Sequence, residues 1–285
     1  MNKESRLLLP KILVLVPLAI AGCRSDQSYM DSQTATQTPV HRELAPEITP
    51  SPPLPTATVS PEPTQTVEQK LQNLPAGEYS RGNLERKEIA LTFDCGASGV
   101  PTPAILEALR TEGIRATFFV TGQWAKTYPD LTRQIAAEHE IANHSLSHPD
   151  FRELTDNQII EEINKAEQII AEITGKSTKP FWRPPFGARD ERINRVVAEA
   201  GWPYSIMWTV VRTSQGYVTG DSGDWTNITP QEVTANIIRA SELGNGVIVV
   251  DHCGSTQTAA SLSQTIQILK NRDFKISIVS EILED

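Results

Sequence analysis

From about residue 85 onward, short apolar runs alternate with stretches whose apolar residues recur every three or four positions. That alternation constrains the chain more than any other feature. Short runs of β-branched and aromatic residues between turn signals read as buried strands, and strands separated by amphipathic helices pair in parallel through right-handed crossovers. Strands are expected at Ile89-Ala90-Leu91-Thr92-Phe93, Ala116-Thr117-Phe118-Phe119-Val120, Ile141-Ala142-Asn143, Phe181-Trp182, residues 204–208, Val247-Ile248-Val249-Val250 and Ile276-Ser277-Ile278-Val279. Helices are expected over 102–111 and 129–138, then a long one carrying Ile159, Ile160, Ile163, Ile169 and Ile170. Others follow over 191–200, after Thr229-Pro230, and over 260–270. Thr155 or Asp156 would cap the long helix and Gly175 would stop it. The fold class read from this pattern is α/β with a mostly parallel sheet.

The first quarter has a different texture and crowds in many of the 20 prolines. Lys3, Arg6 and Lys11 accompany an apolar run from Ile12 to Ile20 that Pro17 interrupts. As a helix this run would rise only about 14 Å, too short for a bilayer core of about 30 Å. Ile20-Ala21-Gly22-Cys23 resembles the bacterial lipobox, in which the cysteine is lipidated and becomes the first mature residue. An ordinary secretory signal that happens to contain a cysteine is the other reading. The expectation is a signal peptide over residues 1–22, a lipid anchor to the membrane at Cys23, a disordered Pro/Thr/Ser-rich linker over 23–75, and a folded domain over 76–285. That domain would face outside the cytoplasm, in a bacterial cell envelope. A Pro-rich linker is semi-rigid, rising about 3.1 Å per residue when extended, and would let the domain work away from the membrane. The net charge is −9 with no basic run, which argues against nucleic acid as a partner.

In parallel α/β folds, reactive side chains gather on the loops at the carboxyl ends of the strands. Asp94 stands at the first such end, His144 and His148 follow the third, and Arg183 with Pro184-Pro185 follows the fourth. Asp221-Ser222-Gly223-Asp224-Trp225 comes next, and Asp251-His252-Cys253 ends a late strand. Each also has a plain reading: a helix-capping aspartate, two surface histidines, an arginine in a turn, a buried tryptophan beside a satisfied carboxylate. Histidine is scarce, five in all, yet three stand at strand ends. Two imidazoles four residues apart can face one way and share a metal ion.

Taken in order, these segments resemble the polysaccharide deacetylase family, the NodB-homology or carbohydrate esterase family 4 domain, over roughly residues 85–283. Leu91-Thr92-Phe93-Asp94 matches its opening motif and His144-Ser145-Leu146-Ser147-His148 its metal motif. Arg183-Pro184-Pro185-Phe186-Gly187 matches the third, Asp221 to Trp225 the fourth, and Val250-Asp251-His252 the last. The resemblance implies an irregular (β/α) barrel with about seven strands. It implies a metal-dependent hydrolase removing N-acetyl groups from an envelope polysaccharide, with N-acetylglucosamine units of peptidoglycan the first candidate. Asp94 would be the general base, held ionised by Arg183, and His252 the general acid, tuned by Asp224. His144 and His148 would hold a divalent metal, zinc in most relatives. Trp225 and Val250 would wall the acetyl pocket, and the backbone N–H of Phe186 would help hold the oxyanion. An O-acetyl polysaccharide esterase and a non-catalytic carbohydrate-binding lipoprotein are the competing functions.

The chain departs from the family at Cys95, where a second aspartate normally supplies the third metal ligand. Three readings stay open: the Cys95 thiolate binds the metal, Cys95 and Cys253 form a disulfide, or catalysis has been lost and sugar binding kept. The first two exclude each other, because a disulfide sulfur is not a thiolate.

Overall fold

A computed structural model of the chain describes residues 71, 74–214 and 216–284. The expected signal peptide, the lipidated Cys23 and nearly all of the expected linker lie outside the described residues. Among the described residues no helix is long and apolar enough to cross a membrane.

Among the described residues, ten strands and eight α-helices follow one another. In chain order the strands are β1 (Gly77–Tyr79), β2 (Glu88–Cys95), β3 (Thr117–Val120), β4 (Glu140–Asn143), β5 (Phe181–Trp182), β6 (Tyr204–Ile206), β7 (Val210–Thr213), β8 (Gly216–Thr219), β9 (Val247–His252) and β10 (Lys275–Ser277). The helices are α1 (Thr102–Thr111), α2 (Gly122–Thr127), α3 (Pro129–Glu138), α4 (Asp156–Thr174), α5 (Glu191–Glu199), α6 (Pro230–Ser241), α7 (Thr256–Asn271) and α8 (Val279–Ile282). Eight strands make one parallel sheet, in which β1, β6, β5, β4, β3, β2 and β9 lie side by side. The eighth, β10, pairs with residues 88–90 of β2, while β3 pairs with residues 92–95. Since β9 occupies the other edge, β10 and β3 share one edge in succession. The strand expected at 276–279 is therefore shorter, because Val279 opens α8.

The sheet curls until its ends approach. No regular ladder joins β1 and β6 to β9; irregular segments bridge them. Gly82 N donates to Gly246 O (2.7 Å), Thr209 N to Ile248 O (3.0 Å) and Val250 N to Gly220 O (2.9 Å). This is the irregular barrel that the resemblance implies.

The pleat sorts each strand into two faces. Ile89, Leu91, Phe93 and Cys95 of β2 pack outward with Val247, Val249 and Cys253, under the helices. Ala90 of β2 packs inward with Phe119, Ala142, Ile206 and Ile248. Helix chemistry agrees with the elements formed. Thr155 and Gln158 make a capping box at the start of α4, Gly175 ends it at φ 71°, and Ile159, Ile163, Ala166 and Ile170 form its buried stripe. Thr229 and Glu232 do the same for α6, with Pro230 in the first turn. Leu71 is buried against this domain and its carbonyl accepts from Tyr204 Oη (3.0 Å).

Candidate active site

Five carboxyl-end segments line one cavity of about 610 Å³, among them Asp94, His144, His148, Asp221 and His252. The β2–β9 ladder sets Asp94 opposite His252 in register. Asp94 ends an inward row of β2 and His252 an inward row of β9, so both carry their side chains to the same mouth.

Arg183 organises the floor. It is fully buried, with Nη1 donating to Asp94 Oδ1 and to Thr92 Oγ1 (both 2.8 Å) and Nε donating to Ile206 O (2.8 Å). Its guanidinium lies 4.0 Å over the Phe119 ring. Burial pushes the Asp94 carboxyl up, but the charge of Arg183, with His144 and His252 adding to it, holds it below its ordinary value. Asp94 is therefore ionised at neutral pH.

His252 has the opposite setting. Asp224 accepts from its Nδ1 (2.7 Å) and its backbone N (2.8 Å), and a third bond comes from Thr258 Oγ1 (2.6 Å). Burial pulls the imidazole down, yet the Asp224 hydrogen bond, with the charges of Asp94 and Asp224, lifts it to about 9. Behind it Asp251 is fully buried on the helix side; burial first, then the Asp224 charge, pushes it up to about 8. A carboxylate paired with an arginine and an imidazole paired with a carboxylate thus share one cavity.

The histidine pair sits on a tight loop rather than on a helix face. Ser145 and His148 adopt positive φ, 69° and 65°. Glu162 of α4 accepts from Leu146 N (3.0 Å), Ser147 N (2.8 Å) and Ser147 Oγ (2.9 Å), and His148 N donates to Ser145 Oγ (3.0 Å). The spacing of four works through this strapped turn. Glu162 is half-buried, and nothing in its own segment of sequence points to this role.

His144 Nδ1 faces Arg183 O at 2.9 Å, which assigns the proton to Nδ1 and leaves a lone pair on Nε2. Nε2 stands 3.6 Å from Asp94 Oδ2. Burial pushes His144 down to about 4, so the imidazole is neutral at pH 7. The Nε2 lone pair, left without a proton, is open to a cation. The His148 ring lies 4.9 Å from that of His144. Among the described residues no group of three His, Cys, Asp or Glu side chains is set to hold a metal. The donors fit a divalent cation held by two imidazoles, with the other positions open to water or substrate, one protein ligand fewer than a catalytic zinc site ordinarily has.

Cys95 does not fill that vacancy. It forms a disulfide with Cys253, Cα–Cα 5.0 Å, and lies on the outward face of β2, away from Asp94. The reading of Cys95 as a metal ligand is corrected: its sulfur is bonded, and the pleat turns it toward the helices.

The rim is aromatic. Phe186 and Trp225 are 68% and 67% exposed. Phe186 sits at φ 59° with its ring 4.4 Å from that of His148. Trp225 Nε1 donates to Asp221 Oδ1 (3.2 Å), so the indole stands at the cavity wall rather than buried. Val250 lines the interior, as does Trp208, which the sequence pattern placed only at the tail of a strand. Gly187, at φ 64°, brings its backbone so near Trp208 that a Cβ would stand 2.8 Å from the ring.

A sequence model of polysaccharide deacetylases matches residues 81–205. The peptidoglycan-N-acetylmuramic acid deacetylase PdaA of Bacillus subtilis is 29% identical over 71% of this chain and 73% of its own length. An uncharacterised 30.6 kDa protein of Geobacillus stearothermophilus is 30% identical over 73% of this chain and 75% of its own. The chain belongs to the polysaccharide deacetylase family. Another relative, the peptidoglycan-N-acetylglucosamine deacetylase PgdA of Listeria monocytogenes, is 32% identical over 69% of this chain, which spans only 39% of that protein. Among solved structures, a carbohydrate esterase family 4 pseudoenzyme of Bacillus anthracis superposes with a TM-score of 0.67 at 26% identity, covering 75% of this chain and 71% of that one. A mutant of it described as having restored enzymatic activity superposes equally well. This deacetylase-family chain thus resembles both working enzymes and one that has lost its activity.

Proposed function

We propose that the protein is a divalent-metal-dependent N-deacetylase of an envelope polysaccharide, acting on N-acetylhexosamine units of peptidoglycan outside the cytoplasm, tethered by a lipid at Cys23. One observation carries the reading: Asp94 and His252 stand in register on adjacent strands at one cavity, the first paired with Arg183 and the second with Asp224. Amide hydrolysis needs both. Asp94 Oδ1 is engaged by Arg183, so Oδ2 is the oxygen free to accept a proton from the attacking water. Water oxygen bonds to the acyl carbon, and collapse breaks the C–N bond. His252 Nδ1 is engaged by Asp224, so Nε2 delivers its proton to the departing nitrogen. Acetate and a free amine result. An amine cannot leave as its anion, so a positioned, protonated imidazole matters more here than for ester cleavage. This favours the amide over the O-acetyl ester as substrate.

A cation held by His144 and His148, zinc the first candidate, would supply Lewis acidity to the acyl oxygen and to water. The acetyl methyl would lie against Val250 and Trp225, with sugar rings on the exposed faces of Phe186 and Trp225. The Phe186 backbone N–H would face the developing oxyanion, a role a Phe performs as well as a Tyr.

The test is acetate release from N-acetylglucosamine oligomers, from purified peptidoglycan and from an O-acetylated sugar, with Asp94→Asn alongside. The expected result is release from the amides that Asp94→Asn lowers at least a hundredfold. No release from any substrate by metal-loaded protein would overturn the reading in favour of a binding module.

A further inference from the structure

We infer that the Cys95–Cys253 disulfide is a positioning element of the reaction, locking the strand end that carries the base to the strand end that carries the acid. The inference rests on the deacetylase reading of the same site.

The placement of the bond carries the argument. The β2–β9 ladder runs from Ile89 opposite Val247 to Asp94 opposite His252. The next position on each strand is the cysteine, and there the covalent bond takes over from the ladder. The last backbone contact before it is Cys253 N donating to Asp94 O (3.0 Å). A cross-link closing a loop of this length stabilises the fold wherever it is placed, so stability alone does not explain why this one stands at the end of a ladder of six paired residues. At the point where pairing ends, however, it limits fraying, and fraying there would move Asp94 and His252 directly.

The surroundings fix the bond in turn. Both cysteines are fully buried, Cys95 O accepts from Thr121 N (3.0 Å), and Cys253 O accepts from Thr102 Oγ1 (3.2 Å) at the start of α1. The pleat then requires that a fixed outward residue hold its inward neighbour, and each neighbour is a catalytic group. The sulfur bond thus ties the strand end that carries the base to the strand end that carries the acid. Misplacement by about 1 Å in such a pair can cost on the order of a hundredfold in rate.

The experiment compares oxidised wild type, wild type reduced with a phosphine under denaturant-free conditions, and Cys95→Ser/Cys253→Ser. All are assayed at least 20 °C below their own melting temperatures, for kcat and KM on N-acetylglucosamine oligomers. The expected result is a fall in kcat of about tenfold or more with KM within about twofold, in both the reduced protein and the variant. Reoxidation should restore the wild type and leave the variant unchanged. A lowered melting temperature with kcat unchanged would overturn the inference and leave the bond a stabiliser alone. If oxidised wild type releases no acetate, the functional reading falls, and the positioning claim is judged by native-state hydrogen exchange. The amides of residues 92–96 and 250–254 should then exchange at least tenfold faster in the variant, with α4 unchanged; equal exchange overturns it.

Discussion

Asp224→Asn isolates the acid half of the site. Asp224 is a buried acceptor of three hydrogen bonds, two from His252 and one from Thr258. An asparagine of the same shape presents one oxygen and one NH2, so at least one of the three donors faces another donor. The imidazole loses the hydrogen bond that chiefly lifts it to about 9 and moves toward the 6.5 of an ordinary histidine, or lower, since burial alone pulls it down. At pH 7.5 a group titrating at 9 is about 97% protonated, and one at 6.5 about 9%. The loss of acid form alone is thus about tenfold at pH 7.5, and it disappears below about pH 5.5. The sign follows: kcat falls as pH rises through the pKa of a general acid, so the alkaline limb should move from near pH 9 to near or below 6.5. Acetate release against pH, from 5 to 10, measures this directly. The variant also loses charge-assisted hydrogen bonds worth about 1.5–3 kcal/mol each, so its melting temperature must be measured and the assay run well below it. An alkaline limb that stays near 9 in Asp224→Asn would refute the argument, because some group other than His252 would then be supplying the proton.

Three further outcomes are expected. His139 is buried against Phe118 with no hydrogen-bond partner on either ring nitrogen among the described residues, and burial pushes it down to about 4. The unfolded chain therefore takes the proton first as pH falls below 6.5, and the protein should lose about 2 kcal/mol by pH 5, a loss that urea unfolding should find absent in His139→Leu. Zinc should bind the oxidised protein at one site but weakly, with a Kd in the micromolar range by calorimetry, and His148→Ala should abolish it. Gly187→Ala should cut acetate release at least tenfold and also lower the melting temperature by a few degrees, since an alanine at φ 64° is strained and its Cβ would displace the Trp208 ring at the cavity wall; unaltered kinetics well below both melting temperatures would refute the close contact.

Much of the fold could be read because each strand and helix carries its own local signal. Ile89 to Phe93 and Val247 to Val250 are apolar on both faces, as strands buried between a barrel core and covering helices must be. Thr155, Gln158 and Gly175 bracket α4 through backbone chemistry that needs no tertiary context. The β7–β8 hairpin escaped because neither Val210-Val211-Arg212-Thr213 nor Gly216-Tyr217-Val218-Thr219 alternates apolar and polar residues. Its residues are half exposed, so the apolar-run criterion that found the core strands passed over it. Glu162 and Trp208 escaped for another reason: each acts through space on a distant loop or cavity, and nothing in its own segment records that partner.

The identity of residue 95 shows where local reading stops. A sequence places Cys95 next to Asp94 and His252 next to Cys253, and adjacency suggests that all four belong to one site. A pleated strand makes the opposite true of neighbours: Asp94 and His252 point into the cavity, and Cys95 and Cys253 point under the helices. So the two thiols meet each other rather than a metal. The choice between ligand and disulfide depends on which face residue 95 takes as β2 ends, and that is fixed by what pairs with β2 on either side. The β2–β9 register, set by strands that are remote in sequence, decides it. Because the same register also sets the base opposite the acid, chemistry and cross-link stand or fall together. A shift of one residue in that single ladder would turn β9 over against β2, taking His252 out of the cavity and leaving the two sulfurs on opposite faces of the sheet.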